Sequence, residues 1–276
     1  MIAATTPFEG RAVPAKDRAR MVANEAAKGV RLLWAYRATL VPTVGGGIAT
    51  YLVFQYFVGG GRILDELVAE TAPAMFAYLV TYGITMRLVA GILEERNAGT
   101  LEQIHLSPLP AWQLAIGRLS AAVGEAVFVG ATVMAVVLAV QGVEYPLRPA
   151  ALVPLALTVA GAAGFALLIA AASFTYPGIG ALVHIVQMAI MALNGTIAPA
   201  ELFPRWLEII AKLAPTTLGI EATRSILTDG ESLGDLWGSG ALGWLVLHTM
   251  FLVAAGWAVY QWQIRRGLRH GRLGPA

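Results

Sequence analysis

The sequence contains no cysteine. Disulfides, thiolate nucleophiles and cysteine metal sites are therefore excluded. Charge is scarce as well: Asp, Glu, Lys and Arg make up 13% of the 276 residues, against about 25% in an ordinary soluble domain. No G-x-x-x-x-G-K-[ST] run occurs, so the sequence has no phosphate-cradling loop of that kind. HExxH, CxxC and paired acids within an apolar run are likewise missing, and no metal site is expected. The alternating ten-residue segments of a transmembrane barrel are absent. The first 20 residues lack the apolar core of a secretory signal, so the N-terminus is expected to stay in the cytoplasm.

What is present is hydrophobic sequence, 57% of the residues. A helix needs about 20 apolar residues to cross a hydrocarbon core of about 30 Å. Six windows meet that requirement: Ala38–Val58, Ala72–Leu93, Leu119–Val140, Ala150–Phe174, Ile179–Ala198 and Trp237–Trp262. Buried helices of a large soluble protein would instead show a polar face every three or four residues. The expected fold is all-α and polytopic, with six transmembrane helices. Lys and Arg concentrate in the segment up to Arg37, around the second-to-third connection (Arg87, Arg96, Arg118) and in the tail from Arg265 to Arg272. With six spans these fall on one side, which the positive-inside rule makes cytoplasmic for both termini. The pI near 9.0 follows from this anchoring. Nucleic-acid binding would want a basic groove with aromatic platforms, and none is evident.

Residues 1–19 read as a loose cytoplasmic tail and 267–276 as a basic one. From 20 to 37 the stripe Val22, Ala26, Val30 and Leu33, ending at Trp34 and Tyr36, fits an amphipathic helix in the membrane interface, or one packed on a partner. In the first span, Gly45-Gly46-Gly47 permits close helix approach or a bend. The 94–110 connection is the most informative stretch. Glu94, Glu95 and Arg96 leave the second span, and Asn97-Ala98-Gly99 break it. Thr100 then caps a short helix, with Gln103 in capping-box spacing. That helix ends at Ser107-Pro108-Leu109-Pro110, where Pro108 and Pro110 suit the first turn of the next helix. Leu101 and Ile104 share one face too small to fold alone, so the helix needs a surface to lie on, either a partner or the membrane.

Beyond the fifth window, Leu202, Trp206, Ile209 and Leu213 recur on one helical stripe, started near Pro204 and stopped at Pro215. Glu125 and Arg87 are the lone charges of their windows. Glu125 is expected to pair with Arg87, Arg96 or Arg118, or else to serve transport, since intramembrane carboxylates are costly. His184 and His248 are lone intramembrane histidines for which helix–helix hydrogen bonding is the default. A serine-protease reading fails because Ser239 and His248 stand nine residues apart along what reads as one helix, about 13 Å of rise.

The run Glu94-Glu95-Arg96-x-x-Gly99-Thr100-Leu101-Glu102, followed by Ser107-Pro108-Leu109 and Gly117-Arg118, resembles the signature of type-2 ATP-binding-cassette exporter permeases. Pro199-x-x-Leu202-Phe203-Pro204-x-Trp206-Leu207, then Ala214-Pro215-Thr216-Thr217 and Glu221-Ala222-x-Arg224, is similar to that family's segment between its fifth and sixth spans. The likeness covers about Arg20 to Arg266.

The resemblance implies a permease domain over 20–266, a plasma-membrane location, and a pairing with a second permease, as homodimer or heterodimer. It also implies two copies of a separate ATPase subunit. ATP and Mg would be bound by that partner, and this chain would hold no cofactor and catalyse nothing. Glu94, Glu95, Arg96, Gly99, Thr100, Leu101, Glu102, Ile104, Ser107 and Pro108 would form the ATPase-coupling segment, with 20–37 as elbow helix. Arg87, Arg118 and Glu125 would make an intramembrane charge network. The 199–236 region would hold re-entrant or interfacial helices, with an extracytoplasmic gate of Pro199, Leu202, Phe203, Pro204, Trp206, Pro215, Glu221 and Arg224. Tyr51, Phe54, Phe76 and Tyr82 would line a substrate path for a hydrophobic or amphipathic drug, antibiotic or lipid-like molecule. A lipid-linked polysaccharide exporter and an ion-coupled secondary transporter are the alternatives. The latter class often carries internal repeats, and none is convincing here.

Overall fold

The computed structural model describes residues 37–99, 111–143, 148–176, 178–197 and 203–270, with Arg20, Asn24, Ala27 and Arg31 besides. The elements are α1 (Arg37–Val58), α2 (Asp65–Asn97), α3 (Ala111–Gln141), α4 (Leu152–Ser173, led by a 3-10 turn at Pro149–Ala151) and α5 (Ile179–Leu193). Then come α6 (Arg205–Leu213), α7 (Thr217–Arg224, running into a π turn at Ser225–Asp229), α8 (Leu233–Gly238) and α9 (Ala241–His270). The described residues contain no strand, in agreement with the all-α expectation. Arg20, Asn24, Ala27 and Arg31 are helical, whereas the apolar stripe expected over 20–37 lies outside the described residues.

Among the described residues, five helices are long and apolar enough to cross a membrane: those spanning Ala38–Val58, Asp65–Asn97, Trp112–Gln141, Pro149–Ser173 and Ala241–Gly267. The window Ile179–Ala198 gives α5, whose 15 residues reach only about 22 Å at 1.5 Å per residue. It runs antiparallel to α2. Its start follows Phe174, whose carbonyl lies 3.5 Å from the Arg96 guanidinium at the far end of α2. Its end is Asn194, whose amide donates to the Ala74 carbonyl at 3.3 Å. The last window needs one correction. Trp237 belongs to α8, which a capping box between Ser232 and Asp235 starts. Gly240, at φ +83°, then turns the chain before α9 begins. Ser239, which caps α8, and His248 of α9 are therefore not on one helix. The Ser232 backbone N–H and hydroxyl donate to Asp235 and hold its carboxyl below the usual range.

Small residues set how closely the helices approach. Without a hydrophobic force between helices in lipid, association relies on tight packing, which Gly and Ala permit. Ala162, Ala166 and Ala170 of α4 pack with Ile84, Leu88 and Ile92 of α2, Ala122 and Ala126 of α3, and Tyr260 and Ile264 of α9. The most extensive pairing joins α4 to α9. There a Cβ on Gly164 would lie 2.6 Å from backbone atoms of Leu252 and Val253, and one on Gly256 would overlap the Gly164 carbonyl. These two backbones touch directly.

Helix α1 is peripheral. It meets α3 where the Val133 side chain comes within 3.1 Å of the point at which Gly47 would carry a Cβ, while Gly45 and Gly46 face open space. Besides apolar packing of Tyr51 in a cluster with Val68 and Met75, polar contacts hold α1 to α2: Gln55 donates to the Thr71 hydroxyl at 2.7 Å, and the Tyr51 hydroxyl lies 2.9 Å from the same oxygen. Near the opposite end of the sequence, α7 buries Thr217, Gly219, Ile220, Ala222 and Thr223 against α4 and α2. It is a wedge in the end of the bundle remote from the α2–α3 connection. Helix α6 begins after Pro204 and stops before Pro215, as its stripe predicts.

Candidate functional site

The end of the bundle that carries the α2–α3 connection is held by two charged contacts. In the last turn of α2, Glu95 accepts two hydrogen bonds from the Arg118 guanidinium of α3, at 2.8 and 2.6 Å. Such bidentate pairs fix orientation as well as distance. One residue on, Arg96 is 8% exposed and directs its Nη1 to the Ser173 and Phe174 carbonyls, both at 3.5 Å. Those carbonyls end α4, where unpaired C=O groups and the helix dipole favour a cation. The ends of α2, α3 and α4 are thus tied together. Immediately beyond, Ala98 caps α2 and Gly99 takes φ +67°, a left-handed conformation that glycine adopts without steric cost. The expected break at 97–99 is there. Thr100, Leu101, Glu102, Ile104, Ser107 and Pro108 lie outside the described residues.

Arg87, Arg118 and Glu125 divide between two ion pairs. Arg118 joins Glu95, and Arg87 Nε lies 3.4 Å from Glu125 Oε2. Pairing offsets the expense of two charges in a span. Alanine at either position should destabilise the α2–α3 contact, with the two effects non-additive by about 1 kcal/mol in a double-mutant cycle. Additive losses in unfolding of the four proteins would show that the pair does not interact.

The residues expected to line a path are dispersed. Tyr51 is fully enclosed within the chain, its hydroxyl 3.2 Å from the Val68 carbonyl. Phe76 is half-buried against α3, and Phe54 is half-buried on α1. Tyr82 forms a ring cluster with Tyr78 at 5.9 Å and His184 at 6.2 Å, between α2 and α5. At the opposite end of the bundle, Pro199 and Leu202 lie outside the described residues. Trp206 and Leu213 of α6 are 64% and 70% exposed, whereas Pro215 is buried. Arg224 donates from Nε to the Glu70 carbonyl at 3.2 Å, tying α7 to α2. Glu221 lines a polar cleft of about 370 Å³ with Glu208, Lys212 and Trp244. In that cleft Lys212 bonds Glu208 at 2.7 Å and holds its carboxyl below the usual range.

Two anchors are not read from the sequence pattern. Nothing in the pattern around Ser173 and Phe174 marks their carbonyls as the seat of Arg96. The Asn194–Ala74 contact had a weak signal, an amide at the end of an apolar run. Among the described residues there is no group of three or more His, Cys, Asp or Glu that could hold a metal ion.

Long apolar helices joined by direct contacts between glycine backbones define a multi-pass membrane protein. The model of the ABC-2 type transporter family matches residues 26–228, and the chain belongs to that family. It is 28% identical over 192 residues to the "Probable multidrug ABC transporter permease YbhR" of Escherichia coli strain K12, covering 68% of this chain and 51% of the relative. The protein of the same name from Escherichia coli O157:H7 matches equally. The chain spans about half the length of these curated relatives.

Proposed function

We propose that the chain is the transmembrane permease subunit of an ATP-driven exporter, moving a hydrophobic or amphipathic molecule out of the cytoplasm or inner leaflet. Membership of the ABC-2 type transporter family supports this, as does likeness to relatives whose name includes "multidrug". The observation that carries the mechanism is the tied end of α2, α3 and α4. A helix seated on an external motor transmits force only if its roots are stiff. The Glu95–Arg118 and Arg96–Phe174 contacts supply stiff roots to the 100–110 connection.

In this reading two separate ATPase subunits bind ATP and Mg and grip Leu101 and Ile104. Two permeases, identical or sister chains, flank the substrate. Helix α5 counts as the fifth crossing, which gives six and leaves both termini on the cytoplasmic side. Segment 20–37 is the elbow helix, and α6 and α7 close the outer mouth. Tyr82, beside His184, and the half-buried Phe54 and Phe76 are the candidates for substrate contact. Tyr51 serves helix packing, given its enclosure.

The test is co-purification and vesicle transport. Leu101→Asp should abolish retention of the ATPase and reduce nucleotide-driven transport by more than tenfold, while the permease stays folded. Transport that persists with no nucleotide-hydrolysing partner, driven by an ion gradient, would replace this reading with secondary transport.

A further inference from the structure

An apolar cleft of about 430 Å³ opens between α2, α3 and α4, at the end of the bundle opposite the α2–α3 connection. Its walls include Phe76, Met134, Leu138, Leu155 and Leu227, and Arg148 stands among its lining residues. The volume falls within the range of about 300–1,000 Å³ usual for small-molecule sites. Along α3 the cleft extends from Leu138, one turn from the helix end, to Ala131. Seven residues are about 10 Å of rise, so it descends from headgroup level into the acyl region of one leaflet.

Arg148 supplies the polar end. It precedes the turn that opens α4, and its guanidinium nitrogens lie 3.1 and 3.3 Å from the point where Gly230 would project a Cβ. The guanidinium carbon is farther, at 3.6 Å, so the end of the fork faces Gly230. Arg148 is exposed, and no ion pair joins it to a described carboxylate. Gly230 stands between Asp229, which accepts from the Thr228 hydroxyl at 3.2 Å, and Glu231.

We propose that this cleft is a binding site for an anionic glycerophospholipid, with one acyl chain between α2, α3 and α4 and its phosphate on Arg148. The charge arrangement selects that occupant. A planar guanidinium offers paired donors matched to phosphate oxygens, and the deep apolar walls match a hydrocarbon tail. A zwitterionic lipid such as phosphatidylcholine would satisfy the walls but bring its own ammonium beside the phosphate, so the Arg148 charge would stay uncompensated. The site lies apart from the connection end where the motor is proposed to dock, and it holds whatever the transported substrate is.

The permease, purified in its native assembly, is placed in nanodiscs of equal phosphatidylglycerol and phosphatidylcholine, and lipid retained after delipidation is counted by native mass spectrometry. The wild type should retain phosphatidylglycerol over phosphatidylcholine at least fivefold. Arg148→Gln should bring the two lipids to parity, and Arg148→Lys should keep part of the preference. Arg62→Gln, at an exposed cation on the same end of the bundle, should leave it unchanged. Leu155→Trp, which fills the cleft, should lower retention of both lipids. Equal retention by the wild type, an unchanged preference in Arg148→Gln, or an equal loss in Arg62→Gln would overturn the site. Both Arg148 variants alter an exposed side chain, so monodisperse elution suffices to show that they fold.

Discussion

Gly256→Val is expected to leave the chain largely unable to assemble its helix bundle. A side chain there would run into the Gly164 carbonyl, and the reciprocal position offers no relief, because a Cβ on Gly164 would itself lie 2.6 Å from the backbone of Leu252 and Val253. Flexible side chains can rotate away from an intruding methyl group; a helix backbone cannot. Helices α4 and α9 would have to separate, which loosens the contacts of Ala163, Ala166 and Tyr260 in the same core. Overpacking usually costs about 1–3 kcal/mol, and a clash with backbone belongs at or above the upper end. Gly243→Val is the control. It sits on the same helix with nothing within 4 Å of its Cβ position, and its effect should be small. Thermal unfolding in detergent separates the two, and equal midpoints would show that the α4–α9 contact does not limit stability.

Reversing the charge at Glu95 or Arg118 should do comparable damage at the other end. Each partner is about one-quarter exposed, and hydrogen bonds to charged groups are worth about 1.5–3 kcal/mol. Glu95→Arg alone would set two guanidinium groups against each other at the root of the α2–α3 connection, as Arg118→Glu would set two carboxylates. Both single variants should lose most of the nucleotide-driven transport proposed for this chain. The double variant Glu95→Arg with Arg118→Glu should recover a substantial part, since the pair can re-form with its members exchanged. Recovery is the diagnostic outcome. If the double variant transports no better than the worse single variant, the residues act separately.

Much of the architecture is legible in the sequence because the bilayer makes one demand, a run of apolar residues long enough to cross it. Ala38–Val58 was marked by composition alone and matches the apolar span within α1. The stripe from Trp206 to Leu213 between two prolines likewise specifies α6. Arg87 and Glu125 were the lone charges of neighbouring windows, and each meets the other. What stayed hidden is whatever depends on distant segments meeting. Gly164 and Gly256 look ordinary among 30 glycines until α4 and α9 are laid together. Glu125 had three arginines within plausible reach, and only the packing of α2 on α3 and α4 assigns Arg118 to Glu95 and Arg96 to the α4 carbonyls. Trp237 was drawn into the last window because apolar count does not register a capping box or a left-handed glycine.

The brevity of α5 has its own outcome. As the fifth crossing proposed above, a cylinder of about 22 Å beside longer neighbours would leave the bilayer locally too thick on that flank. The lipid tails there must shorten, or the helix must draw polar flanking groups inward, each at a modest free-energy penalty per ångström of mismatch. Membrane thickness thereby becomes a variable that acts on this helix more than on its companions. Acyl-chain length in the host membrane should set how upright α5 stands.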